Sequence, residues 1–82
     1  MQILWDEPKR LANFDKHGFD FAGLDLEFFR TATIRRVRSE RMQAIGSFGD
    51  QVIVVIFARY GREAVSIISM RRAKHFERKF ME

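Results

Sequence analysis

The spacing of apolar and polar positions changes several times along this chain, and each change predicts an element. Residues 2–4 read as a short strand. Asp6 is placed to accept from the free amides of a first helical turn, Pro8 suits a first-turn position that needs no donor, and Gly18 suits a left-handed terminator. A helix therefore runs from the Asp6 cap to Gly18. A second helix is expected from Asp20, which caps Phe21 onward, because Phe21, Leu24, Phe28 and Phe29 fall on one stripe. From Thr31 the signal turns to strand: 31–38 is β-branched and basic, 41–48 follows, and Gly49-Asp50 makes a tight turn into 51–60. The run from Val52 to Phe57 does not alternate, as expected of a central strand covered on both faces. Gly61 turns the chain into a last strand at 63–68. Ser69 reads as the N-cap of a closing helix in which Met70, Ala73, Phe76 and Phe80 line one side. The sum is an α+β fold in the order strand, helix, helix, four antiparallel strands, helix. With no linker, repeat or low-complexity tract, one domain over 1–82 is expected.

Composition agrees with a packed core: 46% of the 82 residues are hydrophobic, nine of them Phe. A chain of this length buries roughly 60 to 65% of its unfolded surface, enough for a fold without large stability. The absence of cysteine removes disulfide frameworks and thiolate metal sites from consideration. The longest apolar run, Val52 to Ala58, falls far short of the roughly 20 residues of a membrane helix, and the first residues lack a basic-then-apolar signal pattern. A cytoplasmic protein without membrane contact is the expectation.

The net charge of +4 conceals an asymmetry, −2 over residues 1–30 against +6 over 31–82. Two clusters produce it: Arg35, Arg36, Arg38 and Arg41, then Arg71, Arg72, Lys74, Arg78 and Lys79. Such a surface suits RNA, because each neutralised phosphate releases counterions, although Lys and Arg also simply solvate a face. At the end of the first helix stand Lys16 and His17, on a rigid support where they could face a substrate. Two histidines, His17 and His75, do not make a zinc site, the carboxylates are too scattered for a magnesium cage, and neither a nucleophile elbow nor a Gly-rich phosphate loop occurs. No metal or cofactor is expected. What remains is a kit of Lys, Arg and His, which fits cleavage of RNA through its own 2′-hydroxyl. There the substrate supplies the nucleophile, an imidazole moves protons near neutrality, and guanidinium forks hold the phosphate oxygens. The 2′-OH requirement selects RNA over DNA.

The residues Trp5-Asp6, Lys9, Asn13, Lys16-His17-Gly18 and Phe21, then Arg41 with Ile45-Gly46, then Ile67-Ile68-Ser69-Met70-Arg71-Arg72-Ala73 and Glu77, occur in an order and spacing that resembles the BrnT family of bacterial toxins. The resemblance covers nearly the whole chain. It implies a compact RelE-like ribonuclease that cuts mRNA and arrests growth. It also implies a BrnA-like ribbon-helix-helix antitoxin as partner, and contact with operator DNA only through the toxin–antitoxin complex. Carried over by position, it points to Lys16, His17, Arg41, Arg71 at the start of the last helix and, more loosely, Arg59. His17 would transfer protons while Lys16, Arg41, Arg59 and Arg71 grip the scissile phosphate or its neighbours. Arg35, Arg36, Arg38, Arg72, Lys74, Arg78 and Lys79 would bind RNA more broadly.

Plainer roles stand beside these. Lys16 and His17 could be helix-end cations favoured by the macrodipole, and Arg41 and Arg71 could pair with Glu40 and Glu77. Trp5 reads as core, Asp6 and Asn13 as caps and backbone partners, and His75 as a solvated group. The chain departs from the family pattern at Ser66, where many relatives have Arg, at Met42, where they have an aromatic, and at Met81, where they have Tyr or Phe. A catalytically weak or inactive module that binds nucleic acid or docks an antitoxin on the same fold is the alternative.

Overall fold

The computed structural model describes residues 1–81. The order is β1 (Gln2–Trp5), α1 (Glu7–His17), α2 (Leu26–Thr31), β2 (Thr33–Arg38), β3 (Arg41–Phe48), β4 (Gln51–Tyr60), β5 (Ala64–Arg72) and α3 (His75–Arg78), with short 3-10 turns at Phe21–Gly23 and Lys79–Met81. One mixed sheet has the strand order β1-β5-β4-β3-β2. Strands β2 to β5 pair antiparallel in succession, whereas β1 lies parallel to β5 with Gln2 opposite Ala64 and Trp5 opposite Ile67.

β4 occupies the middle of the sheet, and its unbroken apolar run fills both faces. On the first face Ile53, Val55 and Phe57 join Ala44, Val65, Ile67 and Met70 under Phe21, Leu24 and Phe28. On the second face Val54 packs with Ile45 and Ala73, flanked by Val52 and Ile56. Each large side chain buried this way contributes roughly 1.5 to 3 kcal/mol, so Phe21, Leu24 and Phe28 together anchor the helical layer on the sheet.

α1 starts and stops as its sequence directs. The Asp6 carboxylate accepts from Lys9 N at 3.4 Å, and Gly18 takes φ +79° while its N–H donates to Phe14 O at 2.8 Å. Its inner side is polar. Asn13, the buried residue of this helix, accepts from Met70 N at 3.1 Å and donates to Met70 O at 2.9 Å. The amide side chain thus acts as a ladder partner for β5 just past the end of β1.

Two expected helices are corrected. Asp20 caps only the 3-10 turn, accepting from Ala22 N, and α2 begins afresh behind Asp25, which accepts from Phe28 N at 2.9 Å. Gly23 and a second competing cap residue interrupt the apolar stripe, because both favour non-helical backbone over helix interior. Ser69 is not an N-cap: it lies in β5 opposite Ile56, the strand runs on to Arg72, and α3 starts only at His75. Arg71 therefore sits on a strand and not at a helix start. Met70 and Ala73 do not share a helix stripe but belong to opposite faces of the sheet, and Phe76 is exposed.

β5 contains a bulge. Ile67 pairs with Phe57 and Ser69 with Ile56, so Ile68 has no residue of β4 to itself. Past this extra residue the alternation reverses. Met70 enters the first-face core, and Ser69 and Arg71 emerge on the second face.

Candidate active site

The second face gathers cations by strand alternation. Arg71 is opposite Val54 and Arg41 opposite Ala58, both on the side of Gln43 and Ile45. Arg35 is opposite Gln43, and after an irregularity at Val37 Arg38 is directly opposite Arg41. Like charges facing across a ladder destabilise a sheet, and neither Arg38 nor Arg41 has an ion-pair partner among the described residues. Two such cations facing each other without an acid between them can take up an anion. The backbones of Arg41 and Arg71 are two strands and four residues apart, roughly 16 Å, so they suit successive phosphates better than a single one.

Arg71 is held. Its Nη1 and Nη2 donate to Glu77 Oε1 and Oε2, each at 2.8 Å, and Nη1 reaches Arg72 O at 3.3 Å. Glu77, the third residue of α3, is 3% exposed, and its Oε1 also accepts from Lys74 N at 2.8 Å. This reach back to the helix start is one half of a capping box. The Arg71 guanidinium holds the Glu77 carboxyl below the ordinary carboxylate range, with the Lys74 amide adding to it against the cost of burial. Glu77 Oε2 further accepts from Gln43 Nε2 at 3.3 Å, Gln43 Oε1 accepts from Arg35 Nη1 at 3.3 Å, and the Arg35 guanidinium lies 3.7 Å from the centre of the Phe80 ring. A continuous chain Arg71, Glu77, Gln43, Arg35, Phe80 therefore crosses the face, and a stacked guanidinium of this kind is held by cation–π attraction.

Lys16 and His17 lie at the sheet edge. With Lys9, Ala12 and Asn13 they line a groove whose other wall is Ile68 and Ser69 of β5. His17 is half-buried and Lys16 exposed. Ser69 stands two residues before Arg71 on the same face, about 7 Å along the strand, so the groove opens beside the held arginine.

Other expected site residues are elsewhere. Arg59 is opposite Val65, on the first face, where it shares a groove with Arg36, Ser39, Glu40 and Met42. The sheet thus separates it from Arg41 and Arg71. Arg72 is opposite Ile53 and is bonded through Nε and Nη2 to Gln51 Oε1; with Arg78 it lines a groove that includes Asp50. Lys74 and Lys79 are exposed on the carboxyl-terminal segment. The five residues assigned to catalysis do not line one cavity among the described residues; Arg41 and Arg71 share a face, and Lys16 and His17 adjoin it. Trp5 is half-buried against the first-face core and its Nε1 donates to Glu7 at 3.0 Å. Glu40 makes no ion pair with Arg41 among the described residues, whereas Glu77 does pair with Arg71.

Gln43 was not singled out by the sequence. It sits between Met42 and Ala44 in an ordinary strand, and the one signal was a polar residue at a position the alternation assigns to a buried row. No group of three or more His, Cys, Asp or Glu that could hold a metal occurs among the described residues. No helix there is long and apolar enough to cross a membrane.

Known proteins resemble this chain in sequence and fold. The family model described as ribonuclease toxin, BrnT, of type II toxin-antitoxin system, matches residues 5–77. Among solved structures, that of the Brucella abortus ribonuclease toxin BrnT is similar, with 50% identity, a TM-score of 0.87, and coverage of 92% of this chain and 99% of the other. No curated protein matches. A family match over nearly the whole chain, on a sheet that collects arginines on one face, establishes that the chain belongs to the BrnT family of ribonuclease toxins of type II toxin–antitoxin systems.

Proposed function

We propose that this toxin is a RelE-type endoribonuclease that cuts mRNA without a metal, through the substrate's own 2′-hydroxyl. The observation that carries this reading is the second sheet face. There Arg71, Arg35, Arg38 and Arg41 share one side of the sheet, and Arg71, two residues past Ser69 on β5, is the one that adjoins the groove lined by Lys16 and His17. Arg71 contacts the scissile phosphate and stabilises the charge that grows on it, while Arg38 and Arg41 hold phosphates further along the strand. His17 moves a proton between the 2′-OH or the 5′-oxygen and solvent, and Lys16 adds positive charge at the groove rim. Arg36 and Arg59, on the opposite face, would contact RNA only outside the reacting segment. A BrnA-like ribbon-helix-helix antitoxin silences the toxin and carries operator DNA binding for the complex.

The test is incubation of the purified protein with RNA in EDTA. Cleavage is expected to survive chelation, to be absent on the all-deoxy analogue, and to fall by roughly 10²- to 10³-fold in Arg71→Ala and steeply in His17→Ala. One observation favours the catalytically weak alternative, the neutralisation of Arg71 by Glu77. Intact RNA with salt-sensitive binding to both RNA and DNA is the outcome that reading requires.

A further inference from the structure

Arg71 presents two bonding edges, and the structure occupies only one. The end-on edge, Nη1 with Nη2, is taken by the two oxygens of Glu77, and the second Nη1 hydrogen is directed to Arg72 O. The side-on edge, Nε–H with the outer Nη2–H, has no partner among the described residues, and the side chain is 24% exposed. Glu77 itself cannot turn away, because Lys74 N and Gln43 Nε2 hold the same two oxygens from other directions. An unpaired arginine on a sheet face would sample many rotamers. This one is fixed before any ligand arrives.

We propose that Glu77 is the positioning residue of the phosphate site. It takes one fork of the Arg71 guanidinium so that the other fork stands ready for two oxygens of an RNA phosphate, and Gln43 and Phe80 hold Arg35 as the neighbouring arm. A planar guanidinium accepts two bidentate partners on adjacent edges, so pairing with an acid does not prevent pairing with a phosphate. The acid lies beneath the face, 3% exposed, and meets no solvent-borne anion directly. The proposal rests on the reading of Arg71 as a phosphate contact and adds that its orientation, not only its charge, sets the rate.

The experiment is a double-mutant cycle with Glu77→Gln, Arg71→Ala and the double variant, read as kcat and KM for RNA cleavage, with thermal melting followed alongside. Glu77→Gln is expected to lower kcat about tenfold with KM changed by no more than about threefold, and to have no further effect in the Arg71→Ala background. A folded Glu77→Gln with wild-type kcat overturns the proposal, as does an equal loss in both backgrounds. Wild-type cleavage by Arg71→Ala overturns instead the assignment of Arg71 to the phosphate. Should Glu77→Gln fail to fold, Glu77→Asp, which keeps the charge but withdraws it by one methylene, carries the same comparison.

Discussion

Asn13 does for β5 what a neighbouring strand would otherwise do, because both the N–H and the C=O of Met70 find their partners on its amide. Asn13→Ala would leave two buried backbone groups unpaired, so a loss of about 2 to 4 kcal/mol is expected from urea unfolding. Asn13→Asp would retain an acceptor for Met70 N but set a carboxylate against Met70 O, and it should fare little better. That the Asn13 side chain bonds backbone was legible. Its partner was not, since Met70 is 57 residues away in sequence. Asp6 and Gly18 were readable because their bonds close within one helical turn. Gln43 was invisible for the opposite reason: its meaning depends on Glu77 and Arg35, which reach it from other elements.

β3 and β4, which pair with each other without any shift of register, coincide with the stretches their patterns predict. The corrections fall where one spacing satisfies two geometries. Met70 and Ala73 are three residues apart, which places them together on a helix but on opposite sides of a strand, and hydrogen bonding to β4 decided for the strand. Docking of α2 on β3 depends on a missing side chain. A Cβ on Gly46 would come within 2.9 Å of Phe28 Cε1 and 3.1 Å of Ala32 Cβ. Gly46→Ala is therefore expected to cost about 1 to 3 kcal/mol, seen as a lower melting temperature. Gly18→Ala meets no atom within 4 Å and should cost only about 1 kcal/mol, from its positive φ.

For the molecule as a whole, stability should respond chiefly to acid and RNA binding chiefly to salt. Glu77 is lowered from an ordinary value of 4.5 by Arg71 first and then by Lys74, and Glu7 is lowered to about 2 by bonds from Arg10 and Trp5. A carboxyl depressed in the folded state favours folding fully above its unfolded value, and that contribution disappears as pH falls through the folded one. Thermal melts should thus be flat above about pH 5 and decline below about pH 4.5, with a shallower decline in Glu77→Gln. RNA affinity should fall with salt, and Arg41→Ala should reduce the slope of log K against log salt by about 0.7, the share of one single-strand phosphate contact.

The bulge at Ile68 has a consequence for how this segment can vary. Were Ile68 drawn into the ladder opposite Ile56, every later residue of β5 would slip by one, turning Arg71 inward onto the phenylalanine layer and pushing Met70 out into water, whereas exchanging its side chain, or removing the residue altogether, would leave both where they are. That one residue stays outside the ladder between Ile67 and Ser69, and not which side chain it carries, decides the face on which Arg71 stands. Relatives sharing this fold should therefore keep an arginine on this face in either of two ways, with the extra residue looped out or with it missing, and not with it paired.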